Sequence, residues 1–136
     1  EVAARAKHKW QMHLEVVTNI VPTINNDEQQ LKDISSWIKN ELGEETPWHV
    51  TRFYPNRLLQ HIPSTPIATI ERAIAIGRGE GLKYVYAGNL AGNENENTFC
   101  PSCGKKVISR CAYQTNLSGF KEGKCRYCGT ALNIIE

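Results

Sequence analysis

The sequence predicts an α/β fold: a fragment of a parallel sheet or (β/α) barrel, followed by a small four-cysteine metal module. Strand-like and helix-like segments alternate over residues 1–96, with short links between them. Two C-x-x-C-Gly motifs follow within residues 97–136. A strand–helix–strand connection with short links pairs its strands in parallel through a right-handed crossover. We therefore expect a parallel sheet in the first region and a separate metal-binding module in the second.

The first two helices are predicted from apolar periodicity and capping residues. Residues 2–9 are typical of the end of a helix that begins before Glu1. Asn25-Asn-Asp27 is an N-terminal cap for the second helix, and Gly43 is its stop signal. The predicted apolar stripe of this helix consists of Leu31, Ile34, Trp37, Ile38 and Leu42.

A third helix is predicted to begin at Thr65-Pro66, because proline is favoured at the first helical position. It is expected to end at Gly81. Its buried side is predicted to contain Ile67, Ile70, Ile74 and Gly77.

Three strands are predicted, at residues 13–21, 48–54 and 82–87. The alternation within the first two places polar side chains together on one face, and these are Glu15, Asn19, His49 and Thr51. A barrel interior filled only for stability would carry Val, Ile and Leu. The polar face is therefore compatible with a lumen that holds a polar ligand, and equally with satisfied polar groups at strand ends.

Three parallel strands rarely form a complete sheet, because both faces of a parallel sheet need a covering layer. We therefore expect the chain to be about the last third of a larger sheet or barrel whose first strands precede Glu1. The Gly- and Asn-rich residues 88–97 are predicted to connect the sheet to the metal module.

The cysteine motifs are Cys100-Pro-Ser-Cys103 and Cys125-Arg-Tyr-Cys128, each followed by a glycine. Two such turns direct four sulfurs at one tetrahedral ion, and a glycine after each turn permits a positive φ. This predicts a zinc site with Cys100, Cys103, Cys125 and Cys128 as ligands, while iron also accepts four thiolates. Disulfides or buried thiols are the other interpretations, which the odd total of five cysteines disfavours. The fifth, Cys111, is expected in the core near the metal.

Charge and composition limit the function classes. The net charge is +2, and residues 97–136 carry six basic against two acidic side chains. Because four thiolates and a divalent ion add about −2, nucleic-acid binding is not expected. No apolar run approaches the roughly 18 residues of a membrane span, and reduced cysteines indicate a cytoplasmic location. The four histidines show no recognised metal-ligand spacing.

Four segments resemble the C-terminal half of a radical SAM family. This is the group related to pyruvate formate-lyase activating enzymes, and within it the radical SAM proteins of the AmmeMemoRadiSam system. The segments are residues 13–22 (HLEVVTNIVP), 46–55 (TPWHVTRFYP), 84–89 (YVYAGN) and 96–104 (ENTFCPSCG). The similarity runs along essentially the whole chain, and residues 48–55 are among its most specific parts.

The resemblance implies that residues 1–96 are the C-terminal part of a (β/α) barrel that binds a [4Fe-4S] cluster and S-adenosylmethionine, and that residues 97–136 are a zinc-ribbon-like module. The family binds its cluster through C-x-x-x-C-x-x-C, which is absent here. The parent protein is therefore expected to be the enzyme, and this chain alone to be inactive. The rest of the barrel, and a protein partner or substrate, are the expected partners.

By the same resemblance, the late strands contact S-adenosylmethionine, partly through main-chain groups. The matching residues in this sequence are Asn19, Val21, Thr51, Arg52 and Phe53. The alternative function is a zinc-ribbon module that binds protein or nucleic acid without catalysis. In that case the aromatic side chains of the ribbon could stack bases, although such residues more often fill a small core; they are Phe99, Tyr113, Phe120 and Tyr127.

Overall fold

The computed structural model describes residues 1–135. The chain divides into two compact units, residues 1–89 and 90–136. This division lies inside the predicted connector, residues 88–97. It comes earlier in the chain than the predicted domain boundary between residues 96 and 97.

The first unit alternates helices and strands in the predicted order. Its elements are α1 (Val2–Trp10), β1 (Val16–Ile20), α2 (Glu28–Trp37), β2 (Trp48–Arg52), α3 (Ile67–Gly79) and β3 (Val85–Gly88). A π-helical segment, Ile38–Leu42, continues α2, and a short 3-10 segment, Arg57–Leu59, follows β2. The two glycines predicted to end the second and third helices both have a positive φ, which is typical of a residue just after a helix. The φ is 93° at Gly43 and 99° at Gly81.

The three strands form one parallel sheet in the order β1-β2-β3. The register places Val17 beside His49 and His49 beside Tyr86. Two residues further along, Asn19 lies beside Thr51 and Thr51 beside Gly88. The predicted parallel pairing is confirmed.

One face of this sheet forms the core of the first unit. Ile20, Trp48 and Val50 on the strands are fully buried. Helix α3 packs against β2 and β3, and α2 packs against α3. A methyl group added at Gly77 would lie 2.8 Å from the Trp48 ring, so glycine at this position lets α3 approach β2 closely.

The predicted apolar stripe of α2 was wrong at one position. Trp37 is 40% exposed, whereas Ser35 is fully buried. At 3.6 residues per turn, Ser35 lies only about 40° around the helix from Leu31, while Trp37 lies about 120° away. The Ser35 hydroxyl donates to the carbonyl of Leu31 at 2.9 Å, so its burial leaves no unsatisfied polar group.

The opposite face of the sheet is polar and more exposed, as the alternation predicted. Glu15 and Asn19 are exposed, and His49 and Thr51 are half-buried. The face also includes an apolar residue, Val17, which is 65% exposed.

The second unit consists of short strands. β4 (Thr98–Phe99), β5 (Lys106–Cys111) and β6 (Gln114–Asn116) form an antiparallel sheet, and β7 (Phe120–Lys121) pairs with β8 (Lys124–Cys125). The buried cluster of this unit consists of Cys100, Val107, Ile108, Phe120, Cys125 and Leu132. Across residues 1–135, no helix has the length and apolar character needed to cross a membrane.

Candidate metal centre

The two cysteine motifs fold into turns with the same hydrogen bonds. In the first, the N–H of Cys100 donates to the carbonyl of Lys105 at 2.9 Å, and the N–H of Gly104 donates to the carbonyl of Cys100 at 2.9 Å. In the second, the N–H of Cys125 donates to the carbonyl of Thr130 at 2.9 Å. The N–H of Gly129 completes it by donating to the carbonyl of Cys125 at 2.8 Å.

The glycine after each motif is conformationally required. Gly104 has a φ of 69° and Gly129 a φ of 75°. A side chain at either position would be strained in this left-handed conformation. The prediction that these glycines adopt positive φ is confirmed.

The two turns bring four sulfurs together. The Sγ atoms of Cys100, Cys103, Cys125 and Cys128 all lie within 4.8 Å of one another. The pair Cys100–Cys128 is separated by 3.6 Å and the pair Cys103–Cys125 by 3.8 Å. Tetrahedral zinc with Zn–S bonds of about 2.3 Å would place its sulfurs about 3.8 Å apart. The four cysteines are therefore positioned to bind one metal ion.

The alternative of two disulfides does not fit this arrangement. A disulfide requires an S–S distance of about 2.05 Å, far below the measured separations of 3.6 and 3.8 Å. All five cysteines are free thiols.

The sulfurs differ in their surroundings. Cys100 and Cys125 are buried, and Cys103 and Cys128 are exposed. Hydrogen bonds with the hydroxyl and main-chain N–H of Thr130 lower the pKa of Cys128 to about 6. A hydrogen bond from the main chain of Lys105 lowers the pKa of Cys103, but dehydration and the neighbouring thiols outweigh it and raise the pKa to about 11. Because zinc binds the thiolate form of cysteine, metal binding displaces the thiol protons of the cluster.

The expected position of the fifth cysteine was wrong. Cys111 is exposed, and it ends β5 at the turn into β6. The next residue, Ala112, has a φ of 52°, typical of a tight turn. Cys111 lies at the tip of a hairpin instead of in the core because its strand extends beyond the buried residues Val107 and Ile108.

The aromatic side chains of the second unit have different environments. Phe120 is buried in the small core, as most such aromatics are. Tyr113 is fully exposed and Tyr127 is 51% exposed. The ammonium of Lys105 lies 5.0 Å from the centroid of the Tyr127 ring, a cation–π contact.

The residues predicted to contact S-adenosylmethionine lie in two environments. Asn19 and Thr51 are neighbours in register on the uncovered face of the sheet. The Thr51 hydroxyl is 3.4 Å from the Asn19 side-chain oxygen. These two side chains are the members of the set that the structure brings together.

The main-chain groups of this set are engaged within the chain. The N–H of Val21 donates to the side-chain oxygen of Asn25 at 2.7 Å. The N–H of Phe53 donates to the hydroxyl of Thr65 at 3.0 Å, and Arg52 Nε donates to the carbonyl of Thr65 at 2.8 Å. Contact of these residues with S-adenosylmethionine stays a prediction.

Sequence reasoning missed a contact among three polar residues on the uncovered face. Glu15 accepts hydrogen bonds from His13 and His49 at 3.1 and 2.8 Å. Histidine spacing in the sequence does not indicate it, because His13 lies just before β1 whereas His49 lies on β2. The strand alternation places Glu15 and His49 on the same face, and combining it with a parallel register would have predicted their contact.

Comparison with known proteins gives one relative of similar sequence. The chain is 40% identical over 124 residues to an uncharacterized protein of Methanocaldococcus jannaschii. The match covers 90% of this chain and 37% of that protein, so the chain spans little more than a third of its relative's length. No protein-family model and no solved structure matches the chain.

Proposed function

We propose that this chain is the C-terminal portion of a radical SAM enzyme, of the group related to pyruvate formate-lyase activating enzymes, and that its four cysteines bind a structural zinc ion. The convergence of the four sulfurs carries the zinc part of this proposal. The resemblance of residues 13–104, together with the parallel sheet and its polar face, supports the enzyme part.

A structural role for the metal follows from the ligand set. Catalytic zinc keeps an open coordination position, whereas four protein thiolates close the tetrahedron. Two of the four ligands, Cys100 and Cys125, also belong to the buried cluster of the second unit. The ion would therefore hold together the same residues that form this small core.

The role proposed for the first unit is one wall of a ligand-binding barrel. Consecutive parallel strands joined by helices are the repeating unit of such a barrel. The face away from the helices offers the side chains of Asn19 and Thr51. The hydroxyl of Thr65 donates to the carbonyl of Ile20 and accepts from the N–H of Phe53, so it holds the carboxyl ends of β1 and β2 in place.

This chain does not contain the cysteine motif that binds the [4Fe-4S] cluster in the radical SAM family. The chain contains no C-x-x-x-C-x-x-C motif, and four of its five cysteines are grouped in the metal centre. Reductive cleavage of S-adenosylmethionine would be supplied by a cluster bound elsewhere in the parent protein. The residues of this chain would orient a ligand and exclude water from it.

The zinc assignment is tested on tag-free chain purified under anaerobic conditions. We expect elemental analysis and native mass spectrometry to find zinc retained at one equivalent per chain, in a colourless protein. A red protein that retains one iron per chain would show that the site is a rubredoxin-like electron-transfer centre and not a zinc site. A metal-free protein with oxidised cysteines would refute the centre.

The enzyme assignment needs the full-length parent. Reconstituted anaerobically with reductant and S-adenosylmethionine, it should release 5′-deoxyadenosine, while calorimetry with this chain alone should detect no S-adenosylmethionine binding. A parent without a reducible [4Fe-4S] cluster would refute this assignment and leave the zinc assignment standing. Tight binding by the chain alone would show that the site is more self-contained than proposed.

One observation favours the alternative of a binding module. The exposed Tyr127 ring with Lys105 above it offers a stacking surface beside a positive charge. Fluorescence anisotropy with a single-stranded RNA probe at low salt tests it. Salt-sensitive binding that Tyr127→Ala weakens would support the module, and no binding at low salt would remove nucleic acid as its ligand.

A further inference from the structure

Each exposed sulfur of the metal centre lies close to a buried sulfur of the other motif. The Sγ of the exposed Cys128 is 3.6 Å from the Sγ of the buried Cys100. The Sγ of the exposed Cys103 is 3.8 Å from the Sγ of the buried Cys125. We propose that the centre is a peroxide-sensitive redox switch, in which oxidation joins each of these pairs as a disulfide and releases the zinc. The switch requires the proposed zinc ion and is independent of the radical SAM assignment.

Solvent reaches only two of the four ligands. Cys103 and Cys128 are exposed, whereas Cys100 and Cys125 are 1% and 2% exposed. A cysteine that binds zinc is a thiolate, and the thiolate is the form that reacts with oxidants. Peroxide should therefore attack Cys103 or Cys128 first.

The buried sulfurs are placed to complete the reaction. An oxidised cysteine condenses to a disulfide when a second thiol lies within reach, whereas further oxidation to a sulfinic acid is irreversible. The separations of 3.6 and 3.8 Å have to shorten to about 2.05 Å, an approach of less than about 2 Å. Both disulfides would run between the two motifs, so the turns would stay connected after the zinc leaves.

The reaction balances with hydrogen peroxide as the only added reactant. An exposed thiolate attacks one peroxide oxygen and breaks the O–O bond, which gives a sulfenic acid and a hydroxide ion. The buried thiolate then attacks the sulfenic sulfur, which forms the S–S bond and releases a second hydroxide ion. Each disulfide thus takes two electrons from two thiolates and consumes one peroxide. Two disulfides leave none of the four thiolates to bind the metal.

The test adds hydrogen peroxide to the tag-free Cys111→Ser chain, after elemental analysis has confirmed one zinc per chain. Cys111 is an exposed thiol outside the sulfur cluster, so its removal leaves only the four ligands to react. A chromogenic zinc chelator should report one zinc released for every two peroxides consumed. Dithiothreitol and added zinc should then restore the metal content.

The order and pairing of the sulfurs are read by mass spectrometry of the same samples. Dimedone, which traps sulfenic acids, should label Cys103 or Cys128 and neither buried ligand. Peptide mapping without reductant should find the disulfides Cys100–Cys128 and Cys103–Cys125. The unsubstituted chain should give the same two disulfides.

Each contrary outcome is assigned to one of the two proposals. A chain that lacks zinc before oxidation refutes the zinc assignment, and the switch with it. An unsubstituted chain that keeps its zinc while peroxide oxidises Cys111 refutes the switch and leaves the zinc assignment standing. Disulfides within one motif, a disulfide to Cys111, or sulfinic acids in place of disulfides would also overturn the switch.

Discussion

The two units of the chain use different sources of stability. In residues 1–89 the core is made of large apolar side chains, among them Ile20, Leu31, Trp48 and Ile70, all fully buried. In residues 90–135 the buried cluster has six members, two of which are cysteines of the metal centre. We therefore expect the first unit to fold by apolar burial alone. In the second unit two metal ligands are also core residues, so we expect its folding to depend on the metal.

Removing one metal ligand should have the largest effect in the chain. Structural zinc contributes on the order of 10 kcal/mol to the folding of small modules. Cys103→Ser should therefore unfold residues 97–135. The three α-helices of the described residues, 1–135, all lie in the first unit, so the helical circular dichroism signal should persist. Hydrogen exchange should report lost protection in the second unit only.

Cys111→Ser is the matched control. It changes the same atoms at an exposed thiol outside the cluster, so zinc content and protection of the second unit should be unchanged. If Cys103→Ser retains its metal, the ligand assignment is wrong. If the helical signal is lost as well, the first unit depends on the metal and the contrast between the two units fails.

The stability of the first unit should depend on its apolar core instead of on the metal. Trp48 is fully buried, and its indole N–H donates to the hydroxyl of Thr18 at 2.9 Å. Trp48→Ala should lower the free energy of unfolding by about 3–5 kcal/mol, measured by urea denaturation with circular dichroism. Trp37→Ala, at a 40% exposed site, should cost less than about 1 kcal/mol.

Zinc content separates the two units in this experiment. Both tryptophan variants should retain zinc at the cysteine site, because its ligands lie in the second unit. Equal costs for Trp48→Ala and Trp37→Ala would contradict the description of the core.

Much of this contrast was predictable from local sequence signals. Apolar periodicity and the stop residues Gly43 and Gly81 indicate the helices, because each signal acts within a few residues. The parallel sheet followed because short strand–helix–strand links permit few other pairings. The cysteine cluster was predictable because C-x-x-C-Gly specifies its own turn. These features depend little on the rest of the fold.

Features that depend on long-range packing were not predictable in the same way. Ser35 replaces Trp37 in the core because helical phase outweighs side-chain polarity once the hydroxyl bonds to its own helix. The contact of Glu15 with His13 and His49 appears only when two strands are placed in register. Cys111 was assigned to the core by its residue type, although its position at a hairpin turn exposes it.

A smaller change tests how closely α3 approaches the sheet. The added methyl group of Gly77→Ala would lie 2.8 Å from the Trp48 ring, so the ring or the helix must shift. We expect a loss of about 1–3 kcal/mol in the free energy of unfolding. Gly79→Ala, in the same helix, meets no atom within 4 Å and should stabilise the protein by up to about 1 kcal/mol. The same sign for both variants would contradict this packing.

The smallest expected effect concerns the start of α2. The side chain of Asp27 accepts hydrogen bonds from the main-chain N–H groups of Gln29 and Gln30, at 2.9 and 3.3 Å. Asp27→Ala leaves both donors without this acceptor and should cost about 1 kcal/mol. Asp33→Ala removes an exposed carboxylate of the same type within the helix and should change stability by less than about 0.5 kcal/mol. Because capping acts within the helix, neither variant should alter zinc retention. Loss of zinc from either variant would show that the stability of the second unit depends on the first, which their separate cores do not explain.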